Sequence, residues 1–204
     1  MTTKFGARTK EGIEINEKSR AIVRSFVKGD SPEDRIRQRC VIATGDPAFA
    51  DLMRFSNGSI EAGLEAIKKG ATIFTDIRMA KVGITKRGHG CDVRCVLDEC
   101  EEMAEKTGMT RTSAGFAALE KELDGSIIVI GNAPSAALTV CDMIERGLKP
   151  ALLVATPVGF VNAAESKERV RELDLPSITC IGTRGGTPVA VAVVNELVEM
   201  AAQQ

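Results

Sequence analysis

The stretch SIIVIGNAPS, residues 126–135, decides the fold class. Its first half, Ser126–Gly131, is a run of Ile and Val without polar alternation, the pattern of a strand covered on both faces. Its second half turns on Gly131 and Asn132, and Pro134 then opens a helix expected over Ser135–Arg146. The same order recurs to either side. Apolar runs stand at Ala71–Asp76, Val93–Leu97, Ala151–Thr156 and Ser177–Gly182. Helical segments fit Ser59–Lys69, Thr110–Leu123, Ala163–Leu173 and Thr187–Gln203. Strands alternating with helices call for right-handed crossovers, so the chain reads as α/β with a mainly parallel sheet and helices on both faces.

Upstream, Gln38–Ala43 (QRCVIA) is a further strand candidate. Ile13–Val27 reads as an amphipathic helix, with Ile15, Ser19, Ile22, Val23 and Phe26 near one face. Asp30-Ser31-Pro32-Glu33 is a helix start, with Pro in the first turn. No internal repeat, low-complexity segment or long linker interrupts the 204 residues, so residues 1–204 read as one domain.

Composition removes several function classes. Hydrophobic residues are 44% and charged residues 27%, ordinary for a globular chain. The 27 Lys and Arg balance 28 Asp and Glu, which disfavours general nucleic-acid binding. Seven Phe with no Trp and no Tyr argue against a base-stacking platform. No run of 18 apolar residues offers a membrane span, and the polar start MTTKFGARTKEGIEINEK is not a signal peptide. Six Cys without a CxxC pair read as reduced thiols of a cytoplasmic protein. Cys91, Cys95 and Cys100 cluster, but no His or second pair supports a metal there.

In a parallel sheet, ligands bind beyond the carboxyl ends of the strands. Four turns fall there. Arg39–Asp46 (RCVIATGD) is read as a strand entering a bend, where Thr44 and Asp46 accept backbone N–H bonds and Gly45 permits the turn; a plain helix cap is the competing reading. Asn132, Ala133, Pro134 and Ser135 form a helix start whose free N–H groups favour an anion. Pro157, Val158, Gly159, Phe160 and Val161 form an apolar loop leading to Glu165, Ser166 and Lys167; Phe160 suits either a flat apolar ligand or the core. In Gly182–Pro188, Gly185 and Gly186 allow close backbone approach, and Arg184 suits a carboxylate or phosphate. GxGxxG after the first strand and GxxxxGK[ST] are both missing, so these turns fit a large, flat polycarboxylate better than a nucleotide.

Read in order, IEINEKS, RxxxATGDPxFAD, FTDIRMAKVGI, MTRTSAGF, IVIGNAPSAAL, ATPVGFVNAAESK and GTRGGTPVAVAVVNEL resemble the precorrin-8X methylmutase family over nearly the whole chain. The resemblance implies a Rossmann-like domain that forms a homodimer, with tetrapyrrole pockets near the subunit interface. It implies a 1,5-sigmatropic shift of a methyl group from ring carbon 11 to ring carbon 12 of precorrin-8X or cobalt-precorrin-8, giving hydrogenobyrinic or cobyrinic acid. It implies no redox cofactor and no catalytic metal. Ser19 and Arg39 match substrate-contacting positions of the family, and the Asn132–Ser135, Pro157–Phe160 and Arg184–Gly186 turns would add contacts.

The sequence departs from the family pattern in two places. A His, the family's catalytic acid, directly precedes the Ala-Thr-Gly-Asp segment, and here that residue is Ile42. The single His of the chain, His89, is either an exposed loop residue or a substitute acid. Thr183 stands where the family often has a basic residue. The alternative to an isomerase is a non-catalytic tetrapyrrole-binding paralogue of the same fold, and beyond that a dimer binding some other polyanion.

Overall fold

The computed structural model describes residues 9–203; the first eight residues of the polar N-terminal segment and the last residue of the expected domain lie outside them. Helix α1 spans Lys10–Phe26, capped by Thr9, whose hydroxyl accepts the Gly12 N–H. Only Val23 of the expected apolar face is buried, while Ile15, Ile22 and Phe26 lie more than half exposed.

Helix α2, Pro32–Thr44, overturns the strand expected over Gln38–Ala43. Ser31 accepts the Asp34 N–H at 3.1 Å and Pro32 sits in the first turn, so the helix start read from the sequence is real and the chain stays helical through it. Ile36, Cys40 and Val41 are then buried at helical spacing. An apolar run of six residues fits strand or helix equally, and the cap upstream decides between them. Gly45, at φ +68°, ends α2 in the left-handed conformation, so the Ala-Thr-Gly-Asp segment is a helix end and not the end of a strand.

A 3-10 turn, Pro47–Leu52, leads into strand β1, Met53–Ser56, which the sequence reading missed. Helix α3 (Ser59–Lys68), strand β2 (Ile73–Thr75), helix α4 (Arg78–Gly83) and strand β3 (Val93–Cys95) follow. Helices α5 (Glu101–Thr107) and α6 (Arg111–Ala118) precede strand β4 (Ile127–Ile130). Helix α7 (Pro134–Glu145), strand β5 (Leu152–Ala155), helix α8 (Ala163–Glu172), strand β6 (Ser177–Cys180) and helix α9 (Thr187–Ala201) complete the described chain.

The sheet order is β1-β6-β5-β4-β2-β3. All neighbours pair in parallel except β1, which runs antiparallel to β6 at the edge. Alternate side chains of each strand enter different layers. Ile127, Val129, Leu152 and Val154 pack with residues of α2, α3 and α9. Ile128, Ile130 and Leu153 pack with Phe116, Val140 and Val170 on the other face. Both faces being dry, polar residues could not alternate with apolar ones, which is why the strands read as unbroken Ile and Val runs.

Candidate active site

The carboxyl edge of the sheet carries the starts of α4, α7, α8 and α9. Thr110, the cap of α6, meets Ser135 at 2.9 Å between hydroxyls, which places the start of α6 there as well. Met53 pairs with Cys180, so β1 begins at this same edge and brings the end of α2 with it.

Three of the four expected turns are stitched together. The Gly186 N–H donates to the Thr156 carbonyl at 2.7 Å, and the Gly159 N–H donates to the Thr183 carbonyl at 3.0 Å. Gly185, at φ +154°, leaves no room for a side chain: a Cβ there would lie 2.3 Å from the Thr156 carbonyl oxygen. Arg184 forms an ion pair with Asp46 and lies 5.4 Å over the Phe49 ring, joining the end of α2 to the turn after β6. Phe160 is 94% exposed and Val161 and Val158 are also open to solvent, so the apolar loop is not part of the core.

The fourth turn is differently used. Chain direction across the sheet reverses between β2 and β4, the point where α/β sheets open a ligand crevice. Here Asp76, at the end of β2, fills it. Its buried carboxylate accepts the N–H groups of Gly131 (3.3 Å), Asn132 (2.7 Å) and Ala133 (2.9 Å). The anion expected at this helix start is therefore the protein's own. Burial pushes the Asp76 carboxyl above the usual carboxylate range, against the downward pull of these N–H donors. Asn132 keeps an exposed side chain, while Ala133 is buried and Pro134 and Ser135 are half-buried.

Other expected residues have structural partners. Arg39 pairs with Glu196 at 2.9 Å and Glu199 at 3.0 Å, in a cluster that Arg20 and Arg35 share. Glu196 is only 1% exposed, so this cluster bolts α1 and α2 to α9. The Thr44 hydroxyl donates to the Cys40 carbonyl at 2.9 Å. Asp46 accepts the Ala48 N–H at 2.9 Å. Ser166 is buried and donates to the Ala163 carbonyl, and Lys167 is fully buried beneath the Arg184 turn. Glu165 is exposed at the start of α8, Gly45 is exposed, and Ser19 is half-buried on α1. Ile42 packs against the small cluster of Val23, Val27, Val41 and Ala50. Val27 and Ala50 also line an open groove of about 420 Å³ whose walls carry Lys28, Arg37 and Arg54 together with Asp34 and Asp51.

His89 lies at the opposite edge, in the loop leading into β3. One ring nitrogen meets the Thr85 carbonyl at 2.5 Å and the other accepts the Cys91 N–H at 3.1 Å. It is half-buried and tied to backbone, and no turn of the carboxyl edge is near it in the chain's path. Two residues escaped the sequence reading. Asp76 had a signal, a lone carboxylate directly after an apolar run. Arg111 is exposed in the first turn of α6 without an ion pair among the described residues.

The fold and this edge define a doubly wound α/β protein that gathers guanidinium groups, helix starts and exposed apolar side chains on one side of its sheet. The sequence model of the family described as precorrin-8X methylmutase matches residues 14–200. The chain is 42% identical to a cobalt-precorrin-8 methylmutase of Methanocaldococcus jannaschii, covering 97% of this chain and 98% of that protein. It is 37% identical to a precorrin-8X methylmutase of Pseudomonas aeruginosa, covering 80% and 82%. The crystal structure of a precorrin-8X methyl mutase from Thermus thermophilus superposes with a TM-score of 0.86 at 36% identity, covering 94% of this chain and 97% of that one. The chain belongs to the precorrin-8X methylmutase family.

Proposed function

We propose that this protein is an isomerase of corrin biosynthesis that moves a methyl group from ring carbon 11 to ring carbon 12 of precorrin-8X or cobalt-precorrin-8. The observation that carries this is the stitching of the turns after β5 and β6 to the end of α2, which puts Arg184, exposed Val158 and Phe160, and the start of α8 on one rim. A macrocycle with acetate and propionate arms offers an apolar face and carboxylates to such a rim. Arg111 and Glu165 stand on the same edge, one for a carboxylate arm and one for a neutral or protonated group. In this reading Arg39, Lys167 and Asp76, whose polar ends are taken up by protein groups, hold the rim from within.

The shift is intramolecular, so its main requirement is that the ring be held in the reactive shape; well-oriented cases gain on the order of 7–11 kcal/mol from this. A positioned acid adds about 100- to 10,000-fold. Ile42 has no proton to give. Among its chain neighbours, the Asp46 carboxylate is paired with Arg184 and the Thr44 hydroxyl is committed to a carbonyl. Positioning therefore supplies most of the catalysis, and rate rather than binding suffers.

The same reading includes a homodimer. Ile15, Ile22 and Phe26 of α1, Met79 and Val82 of α4, and Phe160 and Val161 are large apolar side chains left open to water by one subunit. A partner covering some of them would also close the rim into a cleft. No helix among the described residues is long and apolar enough to cross a membrane, and all six cysteines are free thiols, which suits work in the cytoplasm. No cofactor or metal enters this scheme.

The test is turnover of the tetrapyrrole by the wild type and by Ile42→His, followed by visible absorbance. The wild type is expected to turn over slowly, and Ile42→His about 100-fold faster. Pigment bound by both proteins with turnover by neither would leave a tetrapyrrole-binding paralogue. Failure to bind any corrinoid would remove the ligand class as well.

A further inference from the structure

Among the described residues Lys167 is the one buried ammonium, and the scheme above gives it no ligand to touch. It has 0% of its surface exposed. Its Nζ donates to the Arg184 carbonyl at 2.6 Å and lies 3.6 Å from the Cys180 sulfur. The Cys180 thiol donates to the same carbonyl at 3.2 Å. No carboxylate pairs with Lys167 among the described residues; Glu168, next in the chain, is exposed and pairs with Arg171. A buried charge without a counter-ion works against stability, so an apolar residue would serve the fold at least as well.

What the ammonium grips is informative. The turn after β6 contains Gly185 and Gly186, both at positive φ, and backbone bonds tie it to the turn after β5 only at Thr183 and Gly186, so residues 184 and 185 lie between these ties. The Arg184 carbonyl is the point at which the core seizes this turn, while the Arg184 side chain points outward, 46% exposed, to Asp46 and Phe49. The charged and titratable groups that act most on the ammonium are Cys180 on β6 and Arg171 and Glu168 on its own helix. Burial holds the Lys167 ammonium below the usual lysine range, so the site keeps its proton with less margin than an exposed lysine.

We propose that Lys167 is a positioning residue: it fixes the Gly182–Gly186 turn from below in the shape that presents the Arg184 guanidinium to a carboxylate of the ligand. This rests on the function proposed above for the carboxylate and on the geometry alone for the turn. It differs from a structural lysine in one respect that can be measured, because its removal should loosen one turn while leaving the fold as stable as before.

The experiment compares the wild type with Lys167→Met, which keeps the length and loses the charge. Thermal and urea unfolding are expected to be unchanged or slightly improved. Trypsin cleavage after Arg184, read by fragment mass, is expected to speed up about tenfold, since the scissile carbonyl keeps only the weak Cys180 thiol donor and has lost the shorter, charged one. KM for the tetrapyrrole is expected to rise about tenfold with kcat changed less than about threefold. Arg184→Gln added to Lys167→Met should cost little further KM, because both act through one guanidinium. Unchanged cleavage after Arg184 in a folded variant would overturn the proposal, whatever the substrate does. Additive KM losses would overturn it too. If Lys167→Met does not fold, Lys167→Arg serves: it keeps the charge and a donor, and it is expected to retain the slow cleavage and low KM. A wild type that binds no tetrapyrrole while Lys167→Met speeds cleavage would defeat the proposed function and leave the turn-fixing role standing.

Discussion

Replacing Asp76 with Ala should reveal how much of the carboxyl edge depends on one buried carboxylate. Three N–H groups, of Gly131, Asn132 and Ala133, would lose their acceptor. A hydrogen bond to a charged group is worth about 1.5–3 kcal/mol, and the Asn132 N–H can turn to water, so about two such bonds are lost outright. Relief of the buried charge offsets part of this, leaving a net loss of roughly 3–5 kcal/mol. That is a large share of the roughly 5–15 kcal/mol typical of a domain. With no Trp or Tyr, urea unfolding is best followed by far-ultraviolet circular dichroism.

The carboxylate also leaves a pH signature. Because burial raises its native value, the folded protein takes up this proton before the unfolded chain does. This proton-linked increment, separate from the hydrogen bonds themselves, is therefore full below the unfolded value, about 3.9, and is lost as pH rises through the raised native value. Asp76→Ala removes that slope. The vacated space, with its N–H groups still converging, should admit formate; saturating formate at 100 times its Kd would return about 2.7 kcal/mol, and chloride at equal ionic strength would not. A loss below about 1 kcal/mol, or no response to formate, would refute the view that Asp76 occupies an anion site.

Gly185→Ala should displace the turn after β6, since its Cβ would fall 2.3 Å from the Thr156 oxygen at a φ of +154°; urea unfolding should show a loss of roughly 2–3 kcal/mol. His89→Ala, at the amino edge with both ring nitrogens tied to backbone, should leave kcat and KM within about a factor of two while lowering the melting temperature slightly.

The parallel sheet was legible because both its faces are buried: Ile127–Ile130 and Leu152–Ala155 carry no polar residue that could confuse strand with loop. Strand β1 was not, because Met53–Ser56 is four residues long and alternates on an edge, too short for a period to show. The strand assigned to Gln38–Ala43 failed because its apolar run was weighed apart from the Ser31 cap that governs it. Of the site, the turns were found by their place after strands. Their partners were not, since Asp76 with Ala133, Asp46 with Arg184 and Arg39 with Glu196 are contacts between residues up to 157 positions apart, which no local pattern announces. Side-chain direction was equally invisible: Lys167 and Glu165 stand two residues apart in one motif, and one is fully buried while the other is exposed.

A tetrapyrrole titration by visible absorbance bears most directly on where the ligand sits. Three proteins suffice: the wild type, Arg184→Gln on the carboxyl edge, and Lys86→Gln beside His89 on the amino edge. Loss of one carboxylate grip should weaken binding about tenfold, or about 1.4 kcal/mol, in Arg184→Gln. Lys86→Gln should bind as the wild type does. The reverse pattern, weakening by Lys86→Gln with Arg184→Gln unaffected, would place the ligand on the wrong side of the sheet and contradict the account.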